Sequence, residues 1–525
     1  MVRRLLSTWI AISLTQCNHV YCFKSIIPFN RSLHFKRCCT FTSIRKTTTM
    51  TATSSPSTTP RKLVLVGGGH AHVQVLKSLH KFIRPSNLSV TLIDAQSDAS
   101  YSGMVPGCVS KLYTPDETLI RLKPLTTWAG IEFVQGTVVD VNLDSKVLNV
   151  KKEGGEDEVE FDVVCFDIGS TSRGLVDTIG ALEYTIPTRP ISNLITRIEE
   201  AEILLRQSGE KDANVVVVGG GAAGIELALA MRARWNDLGD VSVTLLDSGT
   251  ELVPSENKRC RQALLSVLDD HDITIQHSSM VSHITSSHIH LQNEKVLPYT
   301  HCIWAAGASS HDLADVTMRK RGLAVDDRGW IAVNESLQSI SHPFVFAAGD
   351  CATMVGLPKG KSSPPKAGVY AVRSGPILIE NLTKMIGSLD DNSEANNKLT
   401  QYEPQGDFLK LIMCGDGTAL GFRFGLPLRG KWVWHLKDKI DTMFMELFAK
   451  ENLPDIKEGE AYDTSQYDAI VNRPKPLEVE EAGRLLMRTD DEVEYEQAWN
   501  VLRDMMADDD YQKHVLKLIE MSQGE

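Results

Sequence analysis

Short apolar runs alternate with stretches of helical spacing through most of this 525-residue chain. Residues 62–66 read as a buried strand; a glycine turn follows, then a helix over about 71–84 and a second strand over 88–94. The same order returns later, with a strand over 214–218, a glycine turn, a helix over about 222–236 and a strand over 241–247. Apolar strands that alternate with covering helices build parallel sheets. Two such βαβ openings predict an α/β chain with two Rossmann-like dinucleotide-binding domains. Between them, 131–141, 146–151 and 158–168 read as extended, with a polar turn at Gly154-Gly155. Past the second opening, strands are expected over 281–284, 288–291, 302–304 and 344–347, and a helix over about 365–385. A polar break at 387–400 precedes a C-terminal α+β region with strands near 408–413 and 419–424 and a helix over about 431–450. The domains expected are therefore 61–188 and 297–386 as two parts of one nucleotide domain, 189–296 as the other, then 400–450, and an acidic helical tail over 451–525.

Composition changes this picture mainly at the N-terminus. Residues 1–60 hold eight basic side chains and no Asp or Glu, leaving 47 basic against 67 acidic side chains in the remainder. A body carrying −20 should repel a phosphate backbone, so nucleic acid is rejected as a partner. The acid-free Ser/Thr/Arg-rich start reads as an organellar presequence and linker. Within it, Arg3-Arg4 precedes an apolar stretch over 5–14 of signal-peptide length, which suits a plastid reached through the secretory route. A mitochondrial presequence also fits, as does a plain tail ahead of a start at Met50. The most apolar run, 215–231, contains three consecutive glycines and Glu226, so no membrane span is expected. Cys108, Cys165, Cys260, Cys302, Cys351 and Cys414 form no Cys-x-x-Cys, which predicts buried free thiols and neither a metal site nor a redox dithiol.

Candidate chemistry sits at the two glycine turns. In Gly67-Gly68-Gly69-His70-Ala71-His72, Gly67 and Gly69 would allow a tight turn and close approach of a diphosphate to the helix N-terminus. Asp94 ends the next strand, where an acid can hydrogen-bond a ribose. His72 stands where a third glycine is usual. Gly219-Gly220-Gly221-Ala222-Ala223-Gly224 has all three, and Asp247 closes its second strand, which favours NADH over NADPH. Phe344-Val-Phe-Ala-Ala-Gly349-Asp350 is an apolar strand ending in a glycine and an acid suited to flavin ribityl hydroxyls. Asp167-Ile-Gly169 and Trp304-Ala-Ala-Gly307 fit as crossings between the domains.

The order of these motifs over about 61–450 resembles the pyridine nucleotide-disulfide oxidoreductase superfamily, and within it the type II NADH dehydrogenases. It is most similar to the NADH-dehydrogenase-like flavoprotein often fused ahead of selenide, water dikinase. That likeness rests on Val66-Gly-Gly-Gly-His-Ala-His72, Tyr101-Ser-Gly-Met-Val-Pro-Gly107, Pro365-Lys-Ala-Gly-Val-Tyr-Ala-Val-Arg373 and Gly430-Lys-Trp-Val-Trp-His-Leu-Lys-Asp-Lys-Ile-Asp441. The resemblance implies that Gly67, Gly69, Asp94, Gly349 and Asp350 hold FAD, with Lys366 and Ala367 near its ring. It gives Gly219, Gly221, Gly224 and Asp247 to NAD(P)H and makes Glu226 the acid beside flavin and nicotinamide; Gly307, at the crossing, is a further cofactor-binding candidate. An acid inside an otherwise apolar run is also a functional candidate on its own.

Three departures shape the expectation. Gly103 replaces the first cysteine of the disulfide reductases' Cys-x4-Cys, leaving Cys108 alone, and a lone thiol cannot cycle as a dithiol. The helix after Gly349-Asp350 lacks the glutamine of the quinone motif. No Cys follows Cys414 and the only Gly after Gly483 is Gly524, so no kinase domain is expected. The helix over 431–450 carries Val433, Leu436, Ile440, Met443, Phe444, Leu447 and Phe448 at helical spacing with Lys431, Lys437 and Lys439. That stripe suits a membrane surface, the protein body or a second subunit alike. The expected activity is hydride transfer from NADH to FAD, with electrons passed on to a quinone or similar acceptor. The alternative is a redox-sensing interaction protein of the apoptosis-inducing-factor type.

Overall fold

The computed structural model describes residues 60–209, 212–389, 398–405, 408–423 and 425–458. The expected presequence, apart from Pro60, and the acidic tail beyond 458 lie outside the described residues.

The chain opens with β1 (Arg61–Val66), α1 (His72–Ser78) and β2 (Leu88–Asp94). Next come β3 (Glu132–Gln135), the antiparallel meander β4 (Thr137–Asn142), β5 (Val147–Lys152) and β6 (Gly155–Glu160), and β7 (Val163–Phe166). The second unit runs through β8 (Ile186–Pro187), β9 (Ala213–Val218), α2 (Ala222–Arg234), β10 (Val241–Leu246) and β11 (Ile273–Gln276). A meander, β12 (Val281–Ile284), β13 (His288–Leu291) and β14 (Val296–Pro298), then leads to β15 (His301–Trp304). β16 (Val345–Ala347) and α3 (Gly368–Ser388) return to the first unit. The C-terminal region is β17 (Lys410–Met413), β18 (Ala419–Arg423), β19 (Leu426–Gly430) and α4 (Lys431–Glu446).

Two five-stranded parallel sheets result, ordered β16-β7-β1-β2-β3 and β8-β15-β9-β10-β11. Each is the doubly wound arrangement in which a ligand binds beyond the strands' C-terminal ends. Strand pairing carries the second unit past the expected 189–296 at both ends, because β8 and β15 hydrogen-bond into its sheet. The strands expected over 131–141 and 158–168 are each broken in two, at Gly136 and at Phe161-Asp162. The apolar faces of β1, β7 and β16 are fully buried, as are Val215 and Val217 of β9.

One helix is shorter than expected and another is displaced along the chain. α1 stops at Ser78 because the chain turns toward the neighbouring Ala129-Gly130 loop. Lys81 N–H donates to Ala129 O at 2.8 Å, and Arg84 donates to the carbonyls of Leu79, Ala129 and Gly130. α3 begins at Gly368, not 365, since Ala367 is extended with φ −149° and ψ 140°.

The stripe on α4 packs on the body. Val433, Leu436, Phe444 and Phe448 are buried, the last two in the core of the first unit. Lys437, read from the sequence as one of the helix's cations, is buried as well. The C-terminal sheet supplies Ile412, Met413, Leu420 and Phe422 to the core of the second unit, so this region braces both. Among the described residues no helix is long and apolar enough to cross a membrane.

Candidate functional site

Both glycine turns are built alike. Gly67 (φ +91°) and Gly219 (φ +122°) open them in backbone conformations that L side chains rarely adopt. A β-carbon on Gly67 would overlap the carbonyl oxygen of Asp167, and one on Gly219 that of Ala305, the residues following β7 and β15. In each case the turn is pressed against the neighbouring strand's end. The second glycine faces the acid closing the next strand. Gly68 N–H donates to Asp94 Oδ2 at 2.6 Å, and a β-carbon on Gly220 would come within 2.6 Å of the Asp247 carboxylate. Asp94 also accepts from Gln96 N–H at 2.7 Å, and Asp247 accepts from Gly249 N–H at 3.1 Å with His277 Nδ1 3.1 Å away. Burial raises the Asp94 carboxyl above its ordinary range although these N–H groups pull it down.

The turns differ at the third position. A β-carbon on Gly224 would overlap the carbonyl oxygen of Gly219. His72, at the matching place in the first turn, instead points its Nδ1 at Gly67 O, 2.6 Å away. Burial lowers the His72 imidazole to about 4, with the Gly67 contact opposing, so the ring is neutral and Nδ1–H donates. The departure from three glycines is thus a hydrogen bond that closes the same turn.

These features fit a dinucleotide. The open turn, the absence of room for side chains, the helix start and the carboxylate at the strand end are what a diphosphate and its ribose require. His70 N–H in the first turn makes no hydrogen bond among the described residues and is left for a ligand. Gly221, extended at φ −76° and ψ 173°, has nothing within 4 Å of the place of a β-carbon, so the second turn is open at this point.

The end of β16 adds Gly349 (φ +68°) and Asp350. Asp350 Oδ2 accepts from Ser170 Oγ at 3.1 Å and lies 3.7 Å from Arg189 Nη2. A cavity opens here, lined by Gly349, Asp350, Lys366, Ala367, Tyr370 and Tyr402 among others. Lys366 and Ala367 therefore line one cavity with Gly349 and Asp350. The Lys366 ammonium is bonded to Ala352 O and sits 4.3 Å over the Trp330 ring. Burial lowers it below the ordinary lysine range. Gly307 (φ +99°) ends the crossing from β15, with open space around it.

Glu226 is half-buried. On α2 it faces the C-terminal region: Met413 N–H at the end of β17 donates to Glu226 Oε1 at 2.9 Å. Burial pushes its carboxyl up to about 7, while the Lys437 ammonium and the Met413 N–H pull it down. Lys437 donates to Asp441 Oδ2 at 2.7 Å and to Gly103 O at 2.9 Å, and Tyr101 OH donates to Asp441 Oδ1 at 3.2 Å. Burial works against the Lys437 charge, but Asp441 and Glu226 outweigh it and hold the ammonium above its ordinary value. Tyr101 in turn meets the edge of His70, whose centroid is 5.2 Å away. A chain of polar side chains thus runs from the first glycine turn to Glu226.

Several of these groups were not singled out in the sequence. Ser170, Arg189 and Tyr402 carry no local signal, and Tyr370 stands out only as part of the Pro365–Arg373 run. Asp167 had one, an acid ending an apolar strand like Asp94 and Asp247, but it reads equally as part of a turn. Cys108 is a buried thiol pushed up to about 11, first by burial; all six body cysteines are free and buried.

Residues 61–375 match the family described as pyridine nucleotide-disulphide oxidoreductase. The chain is 22% identical over 415 residues to a type II NADH:quinone oxidoreductase of Haemophilus influenzae, covering 71% of this chain and 90% of that one. A second of that name, from Staphylococcus aureus, is 22% identical over 402 residues, covering 73% and 94%. Among solved structures, NDH2 from Plasmodium falciparum in complex with NADH superimposes with a TM-score of 0.61 at 15% identity, covering 76% of this chain and all of that one. The sulfide:quinone oxidoreductase of Aquifex aeolicus gives 0.60 at 16% identity, covering 75% and 92%. With a matched segment of more than half its length, the paired sheets and both glycine turns, this chain belongs to the pyridine nucleotide-disulphide oxidoreductase family and is a flavin-dependent oxidoreductase.

Proposed function

We propose that the chain oxidises NADH and delivers the electrons, through bound FAD, to a quinone. The observation that carries this reading is the repeated turn: two glycine cradles, each closed by a strand-end aspartate, in a chain with 22% identity to NADH:quinone oxidoreductases over nine-tenths of their length. Gly67, Gly69 and Asp94 hold the adenosine diphosphate half of FAD, and Gly349 and Asp350 its ribityl side. Lys366 and Ala367 line the cavity next to Asp350, where the ring of a flavin held by Asp350 would lie. FAD, when bound, supplies the two-electron redox chemistry; the protein supplies orientation and local charge. Gly219, Gly221 and Gly224 receive the NADH diphosphate, and the Asp247 carboxylate suits a free ribose hydroxyl and repels a 2′-phosphate.

Reducing a quinone to a quinol also takes two protons. Glu226 holds one near neutral pH at Oε2, since Oε1 is engaged by Met413 N–H. The exposed Lys431, His435 and Lys439 on the outer side of α4 give a basic edge for contact with an anionic membrane surface where quinone resides. The sequence of 1–60 supports import into a plastid or mitochondrion, and a homodimer is compatible with the fold. Anaerobic addition of NADH should bleach the flavin absorbance, and quinone should restore it much faster than oxygen does. A flavin that NADH leaves oxidised would sink the reading.

A further inference from the structure

Asp167 is a buried carboxylate to which the mechanism gives no work. It follows β7, is 4% exposed, and lies against three elements at once. Its Oδ2 accepts from Ala71 N–H at 2.9 Å and His72 N–H at 3.1 Å, the amides that begin α1. A β-carbon on Gly69 or on Gly349 would overlap its carboxyl group. The group therefore sits between the turn that receives a diphosphate and the Gly349-Asp350 corner. It occupies amides whose positive end would otherwise serve that diphosphate alone. Helix-start amides are a limited set of donors, and two negative groups so close cannot both be charged without repulsion.

We propose that Asp167 sets the affinity of the chain for FAD, taking up a proton as the diphosphate settles on the first glycine turn. This deepens, and rests on, the flavoprotein reading. The protonated carboxyl still accepts from Ala71 and His72 through one oxygen, and adds no charge beneath the ligand. Burial, with the Asp350 and Asp94 carboxylates adding to it, holds the free protein's Asp167 at about 7, against the pull of the two amides. Other titratable groups face it as well. Burial lowers His70 and His72 to about 4, pushes Cys351 up to about 12 and pushes Cys165 well above its ordinary range. Burial raises Asp94, whose carboxylate keeps two N–H donors, and Asp350 is engaged by Ser170 and Arg189. Lys366 lies further along the cavity, bonded to Ala352 O.

The sign follows from linkage. Two added phosphate charges raise the Asp167 pKa further in the complex, so the complex binds more protons than the free protein above about pH 7. FAD affinity is then greatest below that pH and falls as pH rises, by at most about tenfold per pH unit. Equilibrium release of FAD from the diluted full-length holoprotein, read by flavin fluorescence, should give a dissociation constant at least about fivefold higher at pH 8.5 than at pH 6.5. Calorimetric titration of flavin-stripped full chain with FAD, in buffers of different ionisation enthalpy, should count about half a proton or more taken up at pH 7.5. Asp167→Asn keeps the shape and an acceptor oxygen; it should flatten the pH profile to within about twofold and bind more tightly than the parent at pH 8.5. Tight binding by the parent with no proton uptake overturns the role of Asp167, whether or not the variant folds. A variant that keeps the parent's slope overturns it too. A full chain that takes up no FAD at any pH overturns the flavoprotein reading, and this inference with it.

Discussion

Glu226 shows how far a single residue can be read in advance. An acid within an apolar run marked it as functional, yet no spacing revealed that its partners would be Met413 and Lys437, some two hundred positions away. Glu226→Gln keeps its shape and removes its proton. Flavin content should survive while NADH-to-quinone turnover falls at least about tenfold, roughly 1.4 kcal/mol. The ionisation near pH 7 should also vanish from the pH–rate profile. Because folding raises this carboxyl, its stabilising contribution is complete below about pH 4, declines as pH rises and is gone above about 7. The melting temperature of the Gln variant should accordingly change less between pH 5 and 8 than the parent's; equal slopes would remove Glu226 from the titration. Asp247 was legible as a strand-end acid beside a glycine turn, and the structure sets it against Gly220. Asp247→Ala should narrow the preference for NADH over NADPH through lost ribose hydrogen bonds, at about 1–3 kcal/mol. A parent that already prefers NADPH would refute that assignment.

Elements were legible where their cause is local and obscure where it is not. β2, β12 and β13 fall where alternation and apolar runs put them, since strand pairing adds to a preference already in the sequence. The end of α1 was missed because Arg84 and the Ala129-Gly130 loop, which draw the chain away, come from other parts of the fold. The stripe on α4 was visible, but periodicity alone does not say what covers it; for Phe444 and Phe448 it is the core of the first unit. The second turn and α2 carry a sharper consequence. A methyl group on Gly224 would meet the carbonyl of Gly219, which is backbone and has little room to give. Gly224→Ala should destabilise the second unit by about 1–3 kcal/mol and weaken NADH binding while FAD stays bound. Unchanged NADH affinity measured by titration would show that the turn can relax.

At the scale of the whole molecule, the two sheets were predictable from the repeated βαβ order and the elements of the C-terminal region from their own patterns, whereas the packing of that region across both units was not. Lys437 on α4 links all three regions: it bonds Gly103 O from the first unit, pairs with Asp441 on its own helix, and draws on Glu226 from the second. Its side chain is 8% exposed and that of Asp441 5%. Water does little to screen such a pair, so its loss should be felt throughout. Lys437→Met leaves the Asp441 carboxyl buried with Tyr101 OH as its one hydrogen-bond donor among the described residues, and should cost about 3–5 kcal/mol of stability. The double change Lys437→Met, Asp441→Leu removes both charges and should recover most of that, because a buried pair gains little over apolar packing. In the double variant Glu226 loses both the ammonium that opposes the effect of burial and the weaker influence of the Asp441 carboxylate that adds to it, so its carboxyl should rise further and shift the pH–rate profile for quinone reduction upward. Denaturant titration separates the cases. A single variant within about 1 kcal/mol of the parent would mean that the three regions are held together by apolar contacts alone, whereas a double variant no better than the single would mean that the loss does not come from the unpaired Asp441 carboxylate.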